Sequence, residues 1–206
     1  MTGLFITFEG GDGSGKTTQI NLLATWLESQ GQTVVLTREP GGTDLGVELR
    51  NIVLHRKGFI APRAEALLYA ADRSHHIHSL VRPALERGEV VVQDRYLDSS
   101  VAYQGAGRVL DAEEVRELSL WATERLMPNL TVLLDVPASV AKARQAQTER
   151  EYDRLEAEAE DFHTRVRESY LSLAAAEPER FLVVNGELPI EEIHHSIITK
   201  VSDLLG

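Results

Sequence analysis

The segment Glu9-Gly10-Gly11-Asp12-Gly13-Ser14-Gly15-Lys16-Thr17-Thr18 fits the pattern G-x-x-x-x-G-K-[ST] and constrains this chain more than any other stretch. Its flanks are those the pattern needs. Leu4 to Phe8 is an apolar run that reads as a buried strand, and Gln19 to Gln30 places Ile20, Leu22, Leu23, Trp26 and Leu27 at helical spacing. A glycine-rich turn between strand and helix lets successive backbone N–H groups face one concavity at the positive end of the helix, where the β-phosphate of a nucleotide fits. Lys16 would then reach the β- and γ-phosphates, and the Thr17 hydroxyl would ligate Mg²⁺. Residues Gly10 to Thr18 are thus expected to bind a nucleoside triphosphate.

The rest of the chain alternates in kind. Residues 33–37, 89–94, 130–135 and 180–184 read as further strands, the third of the five near-continuously apolar as a parallel strand covered on both faces should be. Helical patterns fall at 44–56, 62–87, 111–125, 137–147, 155–176 and 190–205, with Pro62 at a favoured first helical position. Five short strands separated by helices predict an α/β, three-layer fold with a five-stranded parallel sheet flanked by helices. Ligands in such sheets bind at the carboxyl ends of the strands, where Glu9, Arg38, Asp94 and Asp135 fall. With 206 residues and no linker or repeat, a single domain over 1–206 is expected.

A net charge of −11 argues against a duplex-binding surface, so no nucleic-acid partner is expected and an anionic ligand must be held by local arginines. The absence of cysteine removes thiolate and disulfide chemistry. No apolar run approaches the ~20 residues of a membrane span, and Met1 leads within a few residues into a core strand, so no membrane association and a cytoplasmic location are expected.

Three features narrow the chemistry beyond the phosphate loop. Asp94-Arg95-Tyr96 ends the third strand, where an aspartate can hold the metal shell and an arginine can clamp a second phosphate. Asp135 competes for the metal-side role, since it too ends an apolar strand; the neighbouring Arg95 favours Asp94. Arg38-Glu39-Pro40-Gly41-Gly42-Thr43 makes a rigid turn whose amides can approach a ligand, with Arg50 on the next helix. The charge-rich stretch between Asp135 and Asp161 carries Arg144, Arg150 and Arg154, either as a lid delivering an arginine or as a solvated face, which charge pattern alone favours. His75, His76 and His78 read as solvated helix surface, not a metal site, and Trp26 and Trp121 as core.

Taken together, the stretches FITFEGGDGSGKTT, TREPGGT, LLYAADRSHH, PALERGEVVVQDRYLDSSVAYQGAGR, PNLTVLLDV and DRLE resemble those of bacterial thymidylate kinases, in family order from residue 5 to 156. The resemblance implies a nucleoside monophosphate kinase-like fold with a short lid at about 142–156, and transfer of the ATP γ-phosphoryl group to dTMP. It implies that Tyr69 stacks on thymine, Arg73 reaches a base carbonyl, and Ser100 and Gln104 contact the base edge. Tyr103 would pack on the deoxyribose and disfavour a 2′-hydroxyl, with Asp12 near the 3′-hydroxyl. Arg38, Glu39, Pro40, Arg50 and Arg95 would wall the acceptor phosphate, with Ser99 beside them. Lys16, Arg95 and Arg150 are the implied catalytic residues, Thr17 and Asp94 the metal-side pair, and a homodimer with Mg²⁺ and ATP the working form. Some relatives carry a basic residue among the positions held here by Gly11, Asp12, Gly13 and Ser14; lacking one, this chain resembles members that supply the catalytic arginine from the lid. A regulatory GTPase is the rival from another class, but no N-K-x-D sequence for reading guanine is present.

Overall fold

The computed structural model describes residues 3–108, 110–146 and 153–206. Five strands form one sheet: β1 Leu4–Glu9, β2 Val34–Arg38, β3 Val90–Asp94, β4 Leu130–Asp135 and β5 Phe181–Asn185. All pairings are parallel, in the order β2-β3-β1-β4-β5. Parallel neighbours need long crossovers, and the helices between them cover both faces. Alternate side chains of β1 therefore enter different layers. Ile6 and Phe8 pack with Leu23 and Leu27 of α1 (Lys16–Ser29) and Ile197 and Val201 of α9 (Ile190–Leu205). Phe5, on the other face, packs with Val81, Leu85 and Tyr96. At roughly 1.5–3 kcal/mol for each fully buried large side chain, these two layers dominate the favourable side of folding.

Register fixes what the site can contain. Arg38 and Phe8 pair with Asp94 from its two sides, and Asp135 pairs with Asn185, so the strand ends form one ledge. The 44–55 helix is α2 (Asp44–Arg50), capped by Thr43 accepting from the Gly46 N–H, and continues as a π-type turn over Asn51–His55. The 62–86 helix comprises α3 (Pro62–His76), a π-type stretch Ile77–Val81 and α4 (Arg82–Glu86). Then come α6 (Ala112–Ala122), capped by Asp111, and α7 (Ala138–Gln145).

Three expectations need correction. The run 97–107 is helical, as α5 (Leu97–Ser100) and a π-type stretch Val101–Gly107, although its serines and glycines hid the period; Leu97, Val101 and Ala102 bury one side. The helix expected from Leu155 begins instead at Glu160 as α8 (Glu160–Ala176). Asp153 accepts from the Leu155 and Glu156 N–H groups at 2.9 Å, a local turn that competes with helix, and sends Leu155 into the core beside Tyr69 and Tyr103. Trp121 is 80% exposed, not core, whereas Trp26, also expected in the core, is partly buried and packs against it.

Candidate functional site: a phosphate cleft and the pocket beside it

The chain leaves β1 at Glu9 and turns through glycines into α1. Gly10 has φ 131°, and a Cβ there would lie 2.5 Å from the Leu134 carbonyl oxygen, so only glycine lets the loop hug β4. Lys16 opens α1 with its ammonium donating to the Gly10 and Gly11 carbonyls at 3.1 and 2.9 Å. Burial, then the nearby Arg95 charge, holds its pKa below the usual lysine range. Thr17 and Thr18 face a 590 Å³ cleft shared with Asp12, Gly13, Gly15, Arg38, Asp94 and Arg144.

The two competing aspartates differ in their partners. Asp135 is held bidentately by Arg167 of α8, at 2.6 and 2.8 Å. Asp94, lining the cleft with Thr17, buries an Oδ1 that has no hydrogen-bond partner among the described residues. A buried carboxylate oxygen left over in this way suits a cation ligand.

Next to the cleft lies a 70 Å³ pocket lined by Asp12, Glu39, Pro40, Arg50, Tyr69, Arg73, Arg95, Ser99, Ser100, Tyr103 and Gln104. Leu54, Tyr96, Asp153 and Leu155 line the same pocket and were not among the expected site residues. Arg38 instead lines the cleft, not this pocket. The arginines are already held. Arg95, left-handed at φ 65°, donates to Asp12 Oδ1 at 2.7 Å and lies over the Tyr103 ring at 5.0 Å. Arg73, only 2% exposed, donates to Glu39 at 2.7 Å, Ser100 Oγ at 3.0 Å, Ser119 Oγ at 3.1 Å and the Tyr96 carbonyl at 3.3 Å. Arg50 donates to the Pro40 carbonyl at 2.9 Å, across the cis Glu39–Pro40 turn. Burial pushes the Tyr69 hydroxyl upward, so the ring is an uncharged surface.

Buried carboxylates hold this pocket together, among them Glu9, which sequence reasoning placed at a strand end without a role. Glu9 accepts from the Tyr96 N–H at 2.7 Å, Ser99 Oγ at 2.6 Å and the Tyr170 hydroxyl at 2.7 Å. Burial, then the Asp98 charge, raises it to about 7. Its place at the end of β1 was the available signal. His76 corrects the solvated reading of its cluster: it is fully buried, donating from Nδ1 to Glu39 at 2.9 Å, while His75 and His78 are exposed as expected. Among the described residues no group of three or more His, Cys, Asp or Glu is placed to hold a metal ion.

Of the charge-rich stretch, Arg144 reaches the cleft and donates to the Gly186 carbonyl at 3.0 Å. Arg154 turns away, donating to the Val53 carbonyl at 2.9 Å and to Glu65. Arg150 lies outside the described residues.

A five-stranded parallel sheet with a phosphate loop after β1, a helix N-terminus behind it and a second pocket on the same ledge defines a P-loop kinase fold. The thymidylate kinase family model matches residues 8–197, and the chain belongs to that family. It is 65% identical to a thymidylate kinase of Clavibacter michiganensis subsp. michiganensis, over 100% of this chain and 98% of that one. It is 70% identical to one from Leifsonia xyli subsp. xyli, over 93% and 90%. The crystal structure of thymidylate kinase from Ehrlichia chaffeensis matches with a TM-score of 0.80 at 32% identity, over 98% of this chain and 99% of that one.

Proposed function

We infer that this chain transfers the γ-phosphoryl group of ATP to the 5′-phosphate of dTMP, giving dTDP and ADP on the way to dTTP. Membership of the thymidylate kinase family supports that reaction. The observation that carries the mechanism is the Asp12–Arg95 pair, whose two residues line both the phosphate cleft and the adjoining pocket. Two polyanions brought together there must be aligned and their charge neutralised, which is most of the catalytic task. The loop amides and Lys16 take the donor phosphates, exchanging the Gly10 and Gly11 carbonyls for phosphate oxygens. Arg95 and Arg50, which line both the pocket and the cleft, take the acceptor phosphate, with Arg38 on the cleft side. Tyr69 stacks on thymine, Arg73, Ser100 and Gln104 address its edge, and Tyr103 stands against the deoxyribose. The acceptor phosphate oxygen is already ionised near neutral pH, so no general base is needed.

Thr17 and Asp94 would hold Mg²⁺, and the unpartnered Asp94 oxygen fits a hard cation. When bound, the ion offsets phosphate charge. Arg150 is proposed as the lid arginine, with the phosphate loop 10–17 and the lid 142–156 parts of one domain spanning 1–206. Exposed Val47, Leu67 and Trp121, on α2, α3 and α6, of which α3 packs against each of the other two, support a homodimer through these helices. Among the described residues no helix is long and apolar enough to cross a membrane; the cytoplasm is proposed from the nucleotide substrates. An ADP-release assay across dTMP, dUMP, dGMP and thymidine tests the reading, which expects dTMP to be used best and thymidine not at all. Preferential use of dGMP or thymidine would overturn it.

A further inference from the structure

Glu65 lies on α3 one helical turn before Tyr69, fully buried, and the reaction as derived gives it no task. Its carboxylate gathers donors from two distant segments. Oε1 accepts from Gln104 Nε2 at 3.1 Å and from Arg108 Nε at 3.3 Å, while Oε2 accepts from Arg154. A carboxylate facing two guanidinium groups serves as an acceptor at both oxygens, so the Gln104 atom against it must be the amide nitrogen. The amide plane then has one orientation, with its carbonyl oxygen turned away from Glu65. Gln104 lines the acceptor pocket, and among the described residues no donor is bonded to that oxygen.

We propose that Glu65 is a positioning residue for base selection: it holds the Gln104 amide nitrogen so that the amide oxygen faces the base, admitting a pyrimidine with a ring N–H at that edge and rejecting one with a lone pair there. The proposal rests on the reading of this pocket as the dTMP site. Thymine and uracil carry hydrogen on N3, whereas cytosine presents a lone pair. Facing the fixed amide oxygen, cytosine leaves two acceptors opposed and unsatisfied, the situation in which a built polar site discriminates strongly. An amide free to turn by half a rotation would offer its NH₂ group instead, and the discrimination would fade.

The test compares kcat/KM for dTMP, dUMP and dCMP in the unmodified protein and in Glu65→Gln, with melting temperature measured alongside. A glutamine keeps the shape of Glu65, but its amide can either donate to Gln104 or accept from it, which releases the Gln104 amide to turn. The dTMP-to-dCMP ratio is expected to fall by about tenfold or more, while the dTMP-to-dUMP ratio stays as it was, because both bases carry N3–H. Where dCMP turnover is too slow to follow, its inhibition of dTMP turnover gives the same comparison. A purely structural Glu65 would slow all three acceptors together and leave both ratios unchanged, and that result overturns the proposal. An unmodified protein that prefers dCMP to dTMP would overturn the functional reading itself, a distinct outcome. Should Glu65→Gln melt below the assay temperature, Glu65→Asp, which retracts the carboxylate by one methylene and keeps its charge, is read by the same two ratios.

Discussion

In the phosphate cleft one unbroken segment, 10–18, supplies the turn, the lysine and the hydroxyl, whereas the adjoining pocket draws its side chains from Asp12 and from the separated stretches 39–54, 69–73, 95–104 and 153–155. The supports differ accordingly. Lys16 rests on two loop carbonyls that phosphate can replace with little rearrangement. Two of the pocket's arginines are fastened beforehand through buried carboxylates: Glu39 holds Arg73, and Glu9 holds Ser99 and Tyr170, both of which touch Arg95. A site made of backbone amides is preorganised by its own local turn. A site made of side chains from distant segments needs internal ion pairs to be preorganised at all.

The contrast breaks most sharply at Lys16. Lys16→Ala should lower kcat by about 10³-fold with little change in melting temperature, because the ammonium serves phosphate and not the core. Normal turnover in a steady-state assay would sink the assignment of the cleft. Arg95→Ala should cost about 10²-fold in kcat/KM for dTMP through loss of a desolvated, charge-assisted clamp worth ~2–4 kcal/mol. ATP affinity, measured by titration, should change far less; the reverse pattern would mean the two phosphate sites are interchanged.

Tyr103→Ala should lose up to about 10²-fold in dTMP turnover through misplacement, while relative use of ribothymidine monophosphate rises. The ratio of kcat/KM values for the two acceptors is the informative quantity, and an unchanged ratio moves sugar discrimination to Asp12. Asp94→Asn should raise the Mg²⁺ concentration needed for half-maximal rate by about tenfold. Asp135→Asn should leave that requirement alone and change stability by no more than about 1 kcal/mol, since its Arg167 partner is 40% exposed. Equal effects of the two changes would erase the distinction between the strand ends.

The smallest expected effect concerns Glu9. Its folded-state value near 7, against 4.5 unperturbed, means that the folded protein binds the proton more tightly. The stability this contributes is full below pH 4.5 and is lost as pH rises through 7. Glu9→Gln should therefore flatten the fall in melting temperature between pH 5 and pH 8 by about 5 °C. A variant with the same slope as the unmodified protein would place the titration elsewhere.

Much of this was legible in the chain. The glycines and Lys16 are contiguous, so spacing alone locates the cleft, and the continuous apolar runs identify a parallel sheet whose carboxyl ends carry ligands. Arg95, Arg50 and the turn from Arg38 stood out by their place after the strands, whereas Tyr69, Arg73, Ser100, Tyr103 and Gln104 were named only through resemblance to a family. What the sequence determined is therefore the local chemistry, in which neighbours along the chain are neighbours in space. Only the tertiary structure decided which of two equivalent strand-end aspartates keeps an unpartnered oxygen, that Trp121 faces solvent while His76 does not, and that Glu9, Glu39 and Glu65 hold the pocket. Those outcomes depend on which segments meet across the fold: Arg167 meets Asp135 over 32 residues of sequence, and Glu65 meets Arg154 over 89. Pairing of charges at that range is fixed by the register of the sheet and the packing of the helices, which no local pattern encodes.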